Sequence, residues 1–463
     1  MDLRWTSKSV VLIALISLVG AHCATAPLAL SIENVTLSDG VAKNRGIHVD
    51  LGGQPEGFRI SFAINNTRVR NAQDCQVLGN ATLRSKCLGS SGGVYDVQLH
   101  TFNTSGSFNV SHIDTPPKNA VILQGADEAV MGNITIPRFP FEVWHDPDSL
   151  NKSGIAFGPD SSVLAKLVDY GFAPSKFFGL FFGSRSQNQP QDGQVIVGGY
   201  NVARIRGPFT NFSMTPLGLD TPCPLQVQIK DVVLNNSQGS YSLMPDIRST
   251  VAACIDPLQN QFTFTQAMYA LWKNYTRHND SADYTDQTYP PESEAPVLID
   301  NLTVTLSNGY TVVVPKYELL SLERGANDVG EYAIVSQKVM AAVGKGPTDF
   351  GRDIPILGGT FLSQNYLFVD YESRTFGLAP ANVDRVNIMK GDIRTVCKEL
   401  LVEAPQSHRN VGVIVGPAIG GVAATLLILT GIWCWRRRRP AREGTESGAA
   451  EDDDPWKLKS LYY

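Results

Sequence analysis

Residues 354–381 read IPILGGTFLSQNYLFVDYESRTFGLAPA. Two runs rich in aromatic and β-branched residues, NYLFVDY and TFGLAP, flank the polar ESR, which is the pattern of a strand, a turn and a returning strand. The same pattern recurs upstream in IHVDLGG, GFRISFAI, GGVYDVQL, GQVIVGG, LQVQIKDVVL, NLTVTL and YTVVVP. Only three segments read as helices: SSVLAKLVDYG (161–171), TQAMYALWKNY (265–275) and EYAIVSQKVMAAVG (331–344). The first opens on a serine cap and stops at Gly171. Many strands and few short helices predict a mostly β protein of two lobes.

The chain has 463 residues, 43% hydrophobic and 18% charged, with a formal net charge of −5. That length fills two substantial cores, and the mild acidity gives no nucleic-acid footprint. Histidines are scattered and no Cys-X-X-Cys occurs, so neither a metal nor another cofactor is expected.

The two ends predict the topology. MDLRWTSKSVVLIALISLVGAHCATA (1–26) carries Arg4 and Lys8, an apolar run from Val10 to Val19, then small residues. This is the layout of a secretory signal peptide, with cleavage open between Ala21 and Ala26. Val411–Trp435 holds no charge over 25 residues, and a helix of that length measures roughly 38 Å, enough to span a bilayer. Trp433 and Trp435 sit where interfacial aromatics belong, and Arg436–Arg439 follow, so the C-terminus is expected in the cytosol. The expected division is a signal peptide over 1–26, an N-terminal lobe over 27–209 and a C-terminal lobe over 210–390. A stalk over 391–410, a membrane helix over 411–435 and a cytoplasmic tail over 436–463 complete it. The predicted product is a single-pass type I protein of the secretory pathway or cell surface.

Twelve Asn-X-Ser/Thr triplets agree with that orientation. They are headed by Asn34, Asn65, Asn80, Asn103, Asn109, Asn133, Asn151, Asn211, Asn235, Asn274, Asn279 and Asn301, all on the expected lumenal side. Five cysteines fall between the signal peptide and the membrane run: Cys75, Cys87, Cys223, Cys254 and Cys397. An oxidising compartment permits disulfides, and the odd count leaves one over. Folding CPLQVQIKDVVLNNSQGSYSLMPDIRSTVAAC about residue 238 sets Cys223 opposite Cys254, so these two are expected to bond.

Four stretches in order carry a family resemblance: GGQPEGFRISF (52–62), SGIAFGPDSSVLAKLVDYGFAPSKFFGLFFG (153–183), DGQVIVGGYNVARIRGPF (192–209) and the opening segment. Together they resemble pepsin-like aspartic proteases (the peptidase A1 fold), over roughly residues 46–385. In style the chain is similar to membrane-anchored fungal members. The resemblance implies two similar β lobes around a peptide-binding cleft, each lobe donating an Asp-Thr-Gly turn. In that family one ionised aspartate activates a water and its protonated partner polarises the scissile carbonyl, so both carboxylates are needed. It also implies that Cys75 and Cys87 form the small loop disulfide after the first turn, which leaves Cys397 free or intermolecular.

At the catalytic turns the resemblance breaks down. In SFAINN, Ala63 stands at the aspartate, Ile64 at the threonine and Asn65 at the glycine. In ACIDPLQN, Asp256 keeps the aspartate, but Pro257 and Leu258 replace threonine and glycine. Proline removes a donor beside the carboxylate. The flap region is without the family's tyrosine, and Asp114 in IDTPP imitates the motif in letters only. The expectation is therefore a catalytically inactive peptidase whose interlobe cleft binds a peptide or protein, or which serves as a cell-surface module. Two alternatives remain: a divergent aspartic endopeptidase working at acidic pH, and an adhesion or signalling protein acting through its tail.

Overall fold

A computed structural model describes residues 23, 25–99, 102–104, 121–145, 153–187, 189–216, 223–246, 248–278, 284, 287–327, 331–346, 353–384 and 392–397. The chain is mostly β, and its strands gather into two large sheets. One has twelve strands drawn mainly from residues 28–213, and the other has eight drawn from residues 226–357. Alternation of apolar and polar residues sets which face each strand buries. Along Leu28–Thr36, for example, Leu28, Leu30 and Ile32 point inward and their neighbours stay exposed. Asn301–Leu306 and Thr311–Pro315 follow the same two-residue rule in the second sheet.

The quoted segment 354–381 does not stay in one half. Ile356–Leu357 pairs in parallel with Cys254 and Ile255 inside the eight-stranded sheet. Asn365–Asp370 then crosses to pair with Phe178–Phe181, and Thr375–Pro380 pairs back on it and with Thr210–Ser213. The strands after residue 364 therefore extend the first sheet, so a cut at residue 209 does not separate two sets of hydrogen bonds.

Two of the expected helices are present, Ser162–Asp169 and Gln266–Thr276. Their caps are Ser161 and Thr265, whose side chains accept the backbone N–H groups of Leu164 and Met268. The third expectation is overturned: Tyr332–Ala341 is a strand, paired with Leu320–Ala326 and with Thr288–Tyr289. Its helical spacing is real, but Ile334, Val335 and Val339 are β-branched, and cross-strand pairing outweighs a weak local preference. A helix not read from the sequence, Ala81–Ser91, begins at Asn80, whose side chain accepts Leu83 N–H, and ends at left-handed Gly92.

Among the described residues three disulfides are formed. Cys75–Cys87 and Cys223–Cys254 are as expected, with Cα separations of 5.6 and 5.9 Å. Cys397, expected to be free or intermolecular, is instead bonded to Cys23. The beginning of the expected stalk is also part of the fold, because Ile393–Thr395 pairs with Gly199–Asn201. Among the described residues no helix is long and apolar enough to cross a membrane. The run Val411–Trp435 lies outside them.

One buried carboxyl carries a pH dependence. Glu56 has no exposed surface, and neither carboxyl oxygen has a hydrogen-bond partner. It lies against Gly93, where a Cβ would fall 1.8 Å from Glu56 Oε2, so only glycine admits it. Burial pushes the Glu56 carboxyl well above its ordinary value. With the folded value raised, the proton is held more tightly by the folded chain, so the stability it gives is fully present below the ordinary value of 4.5 and is lost as pH rises towards the folded value. Glu56→Gln is expected to be more stable than the parent at pH 7, with the difference shrinking towards pH 4. Urea unfolding midpoints of both proteins across that range test this, and a gap that does not change with pH would refute it.

Candidate functional site

The strand Gln54–Ser61 runs into the turn at residues 62–66, and the strand Val251–Ile255 ends immediately before Asp256. Phe58, Ile60 and Phe62 are buried with the core, which by strand alternation places Ser61 on the opposite side. There it meets the other half of the molecule. Asp256 Oδ2 accepts the Ser61 hydroxyl at 3.0 Å, and Oδ1 accepts the backbone N–H of Phe62 at 3.2 Å and of Leu258 at 3.1 Å. Ser61 Oγ in turn accepts Ala63 N–H at 3.2 Å. Asp256 is only 3% exposed. Its carboxyl group thus joins two segments 195 residues apart.

Each turn is braced by a glycine-containing loop. Gly158 N–H donates to Ile64 O, Ser162 N–H to Asn65 O and Asp160 N–H to Asn65 Oδ1, all at 2.9–3.0 Å. Across the interface Gly359 N–H donates to Gln259 O, while Thr360 donates to Asn260 O from both N–H and hydroxyl. A Cβ on Gly158 would fall 2.4 Å from Asn65 Oδ1, and one on Gly358 would fall 2.1 Å from Gln259 O, so these approaches require glycine.

The turn positions singled out from sequence do come together. Ala63, Ile64, Asn65, Asp256, Pro257 and Leu258 are all buried. Ile64 Cδ1 and Leu258 Cδ1 converge on Gly154, 3.3 and 3.0 Å from where its Cβ would start. Apolar side chains of both turns thus pack together against Gly154. Below it lies an aromatic floor: Phe62 stacks on Phe178 at 5.7 Å, and Phe157 meets Phe178 edge-on at 5.1 Å. Tyr371, beside Phe178, donates its hydroxyl to Phe157 O at 2.5 Å. Burial, and then the charge of Asp256, push the Tyr371 phenol well above its ordinary value, which keeps it a neutral donor.

Sequence reasoning missed Ser61 and Tyr371. The signal for Ser61 was its place two residues before Ala63, but which first-lobe group faces Asp256 is a tertiary fact. Other acids serve locally. Asp74 accepts Arg70 Nε at 3.2 Å and lies 2.5 Å from His145 Nδ1, and Asp370 accepts the N–H groups of Glu372 and Ser373 in its own turn. Asp114 and the flap stretch 105–120 lie outside the described residues. A groove of about 620 Å3 opens elsewhere, between Ser240–Ser242 and the helix Gln266–Thr276, where Tyr241 and Tyr275 stack at 4.5 Å. Among the described residues no cluster of His, Cys, Asp and Glu suits a metal ion.

The glycosylation triplets divide by accessibility. Asn34, Asn80, Asn103, Asn133, Asn211 and Asn274 are exposed, whereas Asn65 is buried. Asn235 and Asn301 are half-buried and opposite one another, with Asn235 Nδ2 donating to Asn301 Oδ1 at 2.7 Å. Asn109, Asn151 and Asn279 lie outside the described residues.

Two measurements follow. Asp256→Ala leaves three buried donors without this acceptor and is expected to cost about 3–5 kcal/mol in urea unfolding, against about 1–2 for Ser61→Ala. A loss below about 1 kcal/mol in Asp256→Ala would mean the contact holds nothing together. Glycopeptide mapping is expected to find Asn65 unmodified, and glycans on Asn235 and Asn301 never together on one chain. A glycan on Asn65 would show that the turn is not buried as described.

Residues 152–381 match the family model for eukaryotic aspartyl protease, a range that includes Asp256 and begins after the Ala63 turn. No curated protein matches the chain significantly. Among solved structures, the aspartic proteinase from Irpex lacteus aligns over 78% of this chain and 100% of its own, at 15% identity and a TM-score of 0.47. The chain carries an aspartyl-protease-like domain, matched over residues 152–381.

Proposed function

We propose that this protein is a single-pass type I membrane glycoprotein whose aspartic-protease-like ectodomain is catalytically inactive and works as a peptide- or protein-binding module at the cell surface. The observation that carries the inactivity is the state of Asp256. Its two oxygens take hydrogen bonds from Ser61, Phe62 and Leu258 in a site 3% exposed, while Ala63 brings no carboxyl to the opposite turn. Aspartic proteolysis needs one carboxylate to take a proton from water and a second carboxyl to polarise the carbonyl. Here the retained carboxylate is engaged in joining two strands. Loss of one member of a coupled catalytic unit commonly costs several orders of magnitude in rate.

The membrane and surface parts of the reading are supported by the leader-like N-terminus, the uncharged run Val411–Trp435 with its arginines, and the lumenal confinement of the glycosylation triplets. The disulfides fit an oxidising compartment.

Incubating the purified full-length protein with an unfolded protein substrate between about pH 3 and 6 tests inactivity, that being where coupled carboxyls titrate. No cleavage above background is expected, with or without an aspartic-protease inhibitor. Cleavage abolished both by the inhibitor and by Asp256→Asn would overturn the reading and establish an active endopeptidase.

A further inference from the structure

Residues 27–28 and 393–397 meet beside the end of the strand Gly193–Val197, and they reach it by separate routes. Leu28 pairs with Val197 at the start of the first strand. Gly199 pairs with Thr395, Val396 N–H donates to Gly198 O, and Ser175 Oγ donates to Val396 O. Gly199 is pressed from both sides: a Cβ there would fall 2.4 Å from Arg394 O and 2.9 Å from Pro27 Cγ. Backbone pairing alone therefore brings residue 27 and residues 394–396 together. Cys23 and Cys397 are then held with their Cα atoms 5.6 Å apart, within the range a disulfide requires, and they are bonded.

This placement bears on processing. The triplet Ala24-Thr25-Ala26 fits the small-X-small pattern of a cleavage site. Cutting there would discard Cys23 and leave Cys397 without its partner, since Cys75–Cys87 and Cys223–Cys254 are already closed. Val19-Gly20-Ala21 offers small residues two positions before Cys23 and keeps it. We propose that the leader is removed after Ala21, so that the mature chain begins at His22 and Cys23 is retained to staple the N-terminus to the segment leading out of the ectodomain at Cys397. The proposal rests on the reading of the N-terminus as a secretory leader.

The chemistry balances in two steps. Hydrolysis of the Ala21–His22 peptide bond consumes one water and yields the Ala21 carboxylate and the His22 amine. The Cys23 and Cys397 thiols then give up two protons and two electrons to a disulfide-carrying oxidoreductase of the secretory lumen, whose own disulfide becomes a dithiol. With Cys397 used within the chain, it is not available to link two copies.

The test uses the full-length chain made with its own leader in a secreting host and purified without reductant. N-terminal sequencing is expected to begin at His22, and non-reducing peptide mapping to find the Cys23 peptide joined to the Cys397 peptide. A mature chain beginning at Thr25 or Pro27, with Cys397 alkylated without reductant or bonded to a second chain, overturns the proposal while leaving the leader reading intact. Retention of Met1 overturns the leader reading, and the processing step with it. In Cys23→Ser, Cys397 is expected to become reactive to a maleimide without reductant; unchanged protection of Cys397 in that variant would show that Cys23 is not its partner.

Discussion

The contact between Asp256 and the Ser61–Phe62 segment organises the centre of the molecule. A carboxylate removed from water is costly unless donors replace its hydration. Ser61, Phe62 and Leu258 supply donors here, the first two from the opposite half of the structure. The surroundings are arranged for the same contact. Gly158 and Gly358 let the bracing loops approach closely, and Ile64 and Leu258 are buried against Gly154. A group that the family resemblance assigns to catalysis thereby acquires a structural duty.

The second constraint is continuity of the larger sheet. Strands from the end of the domain, Asn365–Asp370 and Thr375–Pro380, complete a sheet begun by the first strands of the chain. The twelve-stranded sheet is not complete without these later strands, which couples the end of the domain to its beginning. The Cys23–Cys397 bond and the pairing of Ile393–Thr395 with Gly199–Asn201 add covalent and backbone ties beside the first strand of that sheet.

Much of this was legible before any coordinates. The alternation in segments such as NLTVTL and YTVVVP, the Ser161 and Thr265 caps, and the hairpin that sets Cys223 against Cys254 are all local or follow from strand pairing. The segment 331–344 was not legible, because its apolar spacing suits a helix while its β-branched residues suit a strand. The edge of the hairpin partner Leu320–Ala326 settles the choice. Cys397 was misassigned for a related reason: its partner lay within a stretch that composition marks as disposable, and only the meeting of both chain ends brings the two together.

Residue order by itself determined the mostly β class and the two capped helices. Each depends on side-chain identity or on periodicity over a few neighbours. Only the tertiary structure decided that Asp256 faces Ser61, that Asn65 is buried, that Glu56 is held without a partner and that Cys23 belongs to the folded chain. Those facts arise from contacts between residues tens to hundreds of positions apart, and no local pattern encodes which distant backbone will supply the donor, the wall or the second thiol.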